Sequence, residues 1–239
     1  MPNEFAASIV IRDAMSAEPP FPILYEDNHL LIIDKPPGIA TQGVTDGNSV
    51  YDLAIGYIRE KYHKPGNVYL GIVSRLDSVT SGVLMLARTS KAAGRLSEML
   101  REGSIRKTYL AVINGSLPNP SGTLIDYVRK NDAAHRMVVC GPNDRGAQRA
   151  ELDYRVVNTI DSQSLLEIEL KTGRKHQIRV QLSHLGCPIL GDRKYDAGAA
   201  PGTGIALHSH RLELIHPVRK SPLVVTAPIP RGWRRFKVV

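Results

Sequence analysis

Apolar and polar positions first organise the chain at "ILYEDNHLLIIDKPPG", residues 23–38, where two strand-like runs flank an Asp-Asn turn and stop at Pro-Pro-Gly. The period then changes. In "SVYDLAIGYIREKY" the apolar positions 50, 53, 54, 57 and 58 fall on one helical face, with Ser49 as the cap. "YLGIVSRLD" predicts a strand running into a loop, and "GVLMLART" a second strand. "SKAAGRLSEMLREG" predicts a helix from near Ser90 to Gly103, and "RKTYLAVING" returns to a strand.

From 123 to 170 the pattern is β-rich, in "TLIDYV", "HRMVVC", "AELDYRVV" and "SLLEIELKTG". "KHQIRVQLSHLG" then places Ile178, Leu182 and Leu185 on one helical face, with Gly186 as the stop. "GIALHSHRLELIHP" and "SPLVVTAPIP" alternate like strands. Strands outnumber helices and are interleaved with them. The expected class is α+β, a mixed and mostly antiparallel sheet flanked by helices and loops. Residues 1–21 carry no sustained period and end in "AEPPFP", so a flexible tail is expected there, followed by one domain over 22–239.

Composition adds limits. The 239 residues, 42% hydrophobic and 23% charged, suffice for a large core without disulfides. Cys140 and Cys187 lie far apart without metal-like spacing and read as free thiols in a reducing compartment. The N-terminus lacks a basic start and an apolar core, and no apolar run approaches the roughly 18 residues that span a bilayer. A cytoplasmic protein without a membrane partner is expected, and a monomer. The net charge of +8 is uneven: residues 171–239 hold 13 Lys or Arg against three acids, and the rest of the chain holds 18 against 20. Such a concentrated excess suits a polyanion such as nucleic acid, although a solvated basic face is the plainer explanation.

Most chemistry can be set aside. His208 and His210 share a strand face near His216, but no Cys, Asp or Glu completes a metal-ligand set nearby, so no metal is expected. Neither a Walker-type phosphate loop, a dinucleotide fingerprint nor a G-x-S-x-G elbow occurs. The single glycine of "LKTGRKHQ", before a basic helix start, is a weak phosphate signal. "IVSRLDSVTSGVLMLART" is more pointed. It sets Asp77 after a strand and before Thr80-Ser81-Gly82, residues that order tight turns, with Arg75 two positions earlier. Asp77 is then either a turn-capping carboxylate or a reactive one, pinned and kept ionised by arginines.

"RLDSVTSGVLMLAR" resembles the "HRLDxxTSGLLLLAK" motif of the RluA-type pseudouridine synthases. "ILYEDNHLLIIDKPPGI" is similar to that family's opening strand pair and "NKPxG" turn, and "IRKTYLAVINGSL" to its "KxYxAxVxG" strand. "LKTGRKHQIRVQLSHLGCPILGDRKY" resembles "LxTGRTHQIRVHLxxLGxPIxGDxxY", and "ALHSHRLELIHP" resembles "LHAxRLxFxHP". In order and spacing the likeness covers residues 22–231. It implies the pseudouridine synthase fold and isomerisation of selected uridines in structured RNA, ribosomal or transfer, by a stand-alone catalytic domain. About 20 residues precede the first strand, too few for the small S4 RNA-binding domain of many relatives, so RNA selection is expected to rest on this domain.

By position the resemblance makes Asp77 the catalytic aspartate and Arg75 the side chain that fills the helix where the target base has left. Tyr109 would stack on the flipped uracil or take part in proton removal. Arg179 would pair with Asp77, and Ile178 would help wall the pocket. Taken alone, Tyr109 reads as core or sheet surface and Arg179 as a solvated charge or phosphate contact. Lys107 and Arg174 read as RNA or structural contacts, and Lys35 as a turn residue able to touch RNA. The basic C-terminal third would supply phosphate contacts. Uridine isomerisation breaks an N–C glycosidic bond, rotates the uracil and rejoins it through carbon. Nothing is oxidised or lost, so no cofactor is required. One carboxylate could attack sugar or base, or abstract a sugar proton; the residues leave the route open. Ser74 stands where the family has His. An RNA chaperone without catalysis and a nucleoside hydrolase are the rival readings.

Overall fold

The computed structural model describes residues 18–43, 49–195 and 204–236. Among these the elements run β1 (Ile23–Glu26), β2 (Leu30–Lys35), α1 (Val50–Lys61), β3 (Gly71–Ile72), β4 (Ser81–Ala87), α2 (Ser90–Arg101) and β5 (Arg106–Asn114). Then follow β6 (Ser121–Asn131), β7 (Arg136–Cys140), β8 (Gln148–Ile160), β9 (Gln163–Leu170), α3 (Gln177–His184), β10 (Leu207–Ile215) and β11 (Pro222–Thr226). The strands form one sheet in the order β1-β2-β4-β10-β5-β9-β8-β6-β7, with β3 on β4 and β11 on β10. Every pairing is antiparallel except β4 with β10. The α+β class with a mixed, mostly antiparallel sheet is as expected. Of the expected tail, residues 1–17 lie outside the described residues, and Phe21 at its end is buried in the core beside α1.

The caps explain the helix starts. Ser49 Oγ accepts the Asp52 N–H while the Asp52 carboxylate accepts the Ser49 N–H, a reciprocal capping box. Thr89 caps α2 through the Ala92 N–H. Strand β2 is buried on both faces: Leu31 and Ile33 pack with Leu84 and Leu86 towards α1, while Leu30 and Ile32 pack with Val83 and Met85 towards α2. This is why "LLII" is a continuous apolar run and not an alternating one. Each fully buried aliphatic side chain here contributes about 1.5–3 kcal/mol.

Helix α3 is buried from Gln177 to Leu182, polar residues included. Ile178 and Leu182 join the core under β5 and β9, while Val180 packs on the other side with Val128, Met137 and Tyr195. Leu185, expected on the buried face, is 46% exposed. The helix ends at His184, so Leu185 is its C-cap and no longer on the helical stripe, and Gly186 with φ +75° turns the chain away directly after it. The strand expected across "YLGIV" is only Gly71–Ile72 long.

Gly82 does more than order a turn. It lies where β4 meets β10, at φ +104°, and a Cβ there would sit 2.1 Å from the Ser209 carbonyl oxygen. Only glycine permits this approach. Ser81, expected in the same turn, is the first residue of β4, and its Oγ lies 2.9 Å from His208 Nδ1.

Candidate active site

The loop between β3 and β4 carries Asp77, and the chain fixes it from several distant segments. Thr41 Oγ1 donates to the Leu76 carbonyl at 2.9 Å and accepts the Leu76 N–H at 3.3 Å. The Gly38 N–H donates to the Ser78 carbonyl, the Ile205 N–H to that of Val79, and the Thr80 N–H to that of Asp77. Lys35, read as a turn residue able to touch RNA, is fully buried. Its Nζ donates to the carbonyls of Pro36, Ile39 and Ser78 at 2.8, 2.9 and 3.1 Å, clamping the Pro-Pro-Gly turn to the Asp77 loop. Burial pushes this ammonium down to about 8, opposed by the charge of Asp77. Three carbonyl acceptors occupy its three protons, so the cation persists at neutral pH. A loop held in this way keeps a side chain in one place.

Arg179 reaches Asp77 from the buried face of α3, its Nη1 donating to Asp77 Oδ2 at 2.6 Å. Asp192 grips the same guanidinium from behind, accepting from Nε at 2.7 Å and from Nη2 at 2.8 Å. Arg179 and Asp192 are 5% and 1% exposed, Asp77 28%. Burial alone would lower the Arg179 pKa, but the Asp192 contacts and then those of Asp77 raise it well above its usual value. The two-toothed grip by Asp192 orients the guanidinium and leaves Nη1 aimed at the cleft.

Asp77 opens into a cleft lined also by Arg75, Tyr109, Arg174, Ile178 and Leu76. Tyr109, on β5, has its phenol pushed up to about 12, by burial first, with a Ser209 hydrogen bond opposing and the Asp77 charge adding. At neutral pH it is a hydrogen-bond donor and an aromatic face. Arg75 is exposed at the mouth and makes no hydrogen bond or ion pair with the described residues. The cleft continues into a groove of about 880 Å³, where Arg75, Arg101, Arg106, Lys107, Lys171 and Arg174 lie. Lys107 lines this groove and not the cleft, and burial lowers its pKa. Arg174 lines both, with its Nε donating to the Arg149 carbonyl at 2.9 Å. Four of these six cations come from outside the basic C-terminal third. The sheet, and not the order of the chain, gathers them.

The three histidines near the C-terminus have separate partners. His208 pairs with Ser81, His210 Nδ1 lies 3.0 Å from the Ala227 carbonyl, and His216 Nε2 lies 3.0 Å from Asp27 Oδ2. Among the described residues no group of three or more His, Cys, Asp or Glu is placed to hold a metal ion, and no helix is long and apolar enough to cross a membrane. Both cysteines are free. His176, Asp192 and Tyr195 were given no role by sequence reasoning, though "RKHQ" and "GDRKY" contain them.

The comparisons agree with this geometry. The family model described as RNA pseudouridylate synthase matches residues 29–184, which include the Asp77 loop and Arg179. The ribosomal large subunit pseudouridine synthase C of Buchnera aphidicola is 37% identical over 226 residues, covering 90% of this chain and 69% of the relative. An uncharacterized RNA pseudouridine synthase of Synechocystis sp. is 33% identical over 239 residues, covering 96% and 72%. The solved structure of human RNA pseudouridylate synthase domain containing 4 superposes with a TM-score of 0.75 at 26% identity, covering 90% of this chain and 93% of that one. A pseudouridine synthase fold that brings an aspartate and an arginine together at the end of a basic groove therefore places this chain in the RluA-type RNA pseudouridine synthases, which are isomerases.

Proposed function

We propose that the protein converts a uridine of large-subunit ribosomal RNA to pseudouridine, with Asp77 as nucleophile or base on a base flipped into the cleft. The observation that carries this reading is the Asp77–Arg179 contact of 2.6 Å, in a cleft that also holds Tyr109. Uridine atoms that must react are hidden within a stacked strand, so the base has to leave it. Arg75, exposed at the mouth and without a partner among the described residues, suits the space the base vacates. Tyr109, with its phenol protonated at neutral pH, suits stacking better than proton removal. The choice of ribosomal over transfer RNA is supported by the name of the Buchnera relative, a ribosomal large subunit pseudouridine synthase. The catalytic domain is proposed to extend over 22–239, since one sheet runs from Ile23 to Thr226.

The test is pseudouridine mapping of total RNA from cells with and without the gene, complemented by wild type or by Asp77→Ala. A ribosomal site that vanishes and returns only with wild type supports the reading. A transfer RNA site would move the substrate, and no change at any uridine would favour an RNA-binding role.

Two further outcomes are expected. Ser74 lies in the groove wall and makes no side-chain hydrogen bond with the described residues. Ser74→His is expected to keep pseudouridine formation within about tenfold of wild type, roughly 1.4 kcal/mol of barrier; complete loss would show that this position shapes the loop. Lys107→Ala is expected to weaken RNA binding similarly for all sequences and to flatten the plot of log affinity against log salt by about one unit. An unchanged slope in filter-binding titrations would remove Lys107 from the phosphate contacts.

A further inference from the structure

His176 is the group in the cleft that the reading above leaves without a task, and its setting is unusual. It stands immediately before α3 at φ +53°, in the left-handed region, and its side chain makes no cap hydrogen bond. Histidine is one of the few residues with a Cβ that populate this region, and backbone strain of this kind gathers at functional sites. Here the left-handed turn sends the imidazole into the cleft, with Nε2 3.7 Å from Asp77 Oδ2.

The hydrogen bonds favour one position for the ring proton. Tyr195 Oη accepts the Met137 N–H at 3.1 Å and lies 3.0 Å from His176 Nδ1. Among the described residues the phenol has no other acceptor, so it donates its single O–H to Nδ1. Burial first, then the neighbouring cations Arg179, Lys175 and Lys194, push the imidazole down to about 4 against the pull of Asp77. A neutral ring with Nδ1 accepting carries its proton on Nε2, and that proton faces Asp77.

We propose that His176 is a positioning residue for Asp77: its Nε2–H is a second donor to Oδ2, beside Arg179 Nη1. This inference rests on the reading of Asp77 as the reacting carboxylate. With both donors directed at Oδ2, Oδ1 has no partner among the described residues and is the oxygen whose lone pairs remain for the substrate. The separation of 3.7 Å is longer than a hydrogen bond, and contacts of this kind shorten when substrate closes the site and drives out water. Tyr195 acts one step further back by holding the tautomer, as outer partners do for metal-bound histidines.

Two measurements on the full chain test this. Long-range proton–nitrogen NMR on 15N-histidine-labelled wild type, with His176 assigned by the signal lost in His176→Gln, should show the Nε2–H tautomer at neutral pH. The Nδ1–H tautomer would overturn the proposal, and this readout does not depend on activity. The second measurement is kinetic, on a transcript of large-subunit ribosomal RNA. His176→Leu should lower kcat about 10- to 100-fold, the worth of a hydrogen bond to a charged group, with KM within about threefold. His176→Gln, whose amide can place an N–H near the Nε2 position, should recover to within about threefold of wild type.

Leucine activity within threefold of wild type, or glutamine as impaired as leucine at an unchanged melting temperature, would overturn the proposal. If the leucine variant fails to fold, Tyr195→Phe decides: an unchanged tautomer and an unchanged kcat together would overturn it. If wild type makes no pseudouridine, or Asp77→Ala matches it, the reading of Asp77 fails instead, and the tautomer still reports on His176.

Discussion

Asp77→Asn is expected to lower pseudouridine formation by at least about 10⁴-fold while moving the melting temperature by no more than a few degrees. The loss follows from the chemistry: an amide neither attacks carbon nor takes a proton under these conditions, and among the described residues no second carboxylate lines the cleft. The small stability change follows from Asp192. When Asp77 loses its charge, Arg179 keeps two hydrogen bonds to a buried carboxylate, so no cation is left uncompensated. Asp77 itself is 28% exposed, and its contact with Arg179 is partly screened by solvent. The reverse substitution separates the roles. Asp192→Asn would break the more buried half of the network, where removal of one partner typically costs about 3–5 kcal/mol. Single-turnover assays with thermal melts of both variants check the pair. An Asp77→Asn protein retaining a tenth of wild-type activity would show that the carboxylate is not the reacting group.

Gly82→Val is expected to have the largest effect on folding. Its Cβ would lie 2.1 Å from the Ser209 carbonyl oxygen, a backbone atom of the strand beside it, and the residue sits at φ +104°. Neither neighbour can give way cheaply. Moving β10 would disturb its pairing with β4, β5 and β11 together. The combined overlap and strain should cost at least about 4 kcal/mol. In a chain of this size that lowers the melting temperature by roughly 8–16 °C or leaves no folded protein. Circular dichroism melts check this, and a value within two degrees of wild type would mean that the two strands can separate without penalty.

How far the sequence could be read depended on whether a feature is local. Helix α2 was legible because its period, its start near Ser90 and its stop all lie within one stretch. The hairpin of β1 and β2 was legible from its turn residues. Leu185 was misjudged because a period of apolar residues does not show that the helix has already ended. In the cleft, Asp77, Tyr109, Arg179, Ile178 and Arg75 could be named from linked motifs and do line one cavity. Asp192 could not be given a place, since it acts through Arg179, 13 residues away, and the burial of Lys35 was not legible, since one of its three acceptors, Ser78, lies 43 residues away. A buried lysine satisfied by three carbonyls has the same local signature as an exposed one in a turn. His176 was hidden for a different reason: its direction depends on a backbone angle that no side-chain pattern records.

The single parallel pairing also bears on how the protein is made. Strands β4 and β5 are separated by one helix in the chain, yet β10, made some hundred residues later, lies between them. A nascent chain synthesised at about 5–20 residues per second would therefore carry two open sheet edges for roughly 5–20 seconds before β10 emerges. Open edges invite pairing with other chains. Arg179 would already have left the ribosome by then, but the sheet that brings it to Asp77 would not have closed. Activity is thus tied to the emergence of β10, and the interval before it is when shielding by a chaperone has the most to protect.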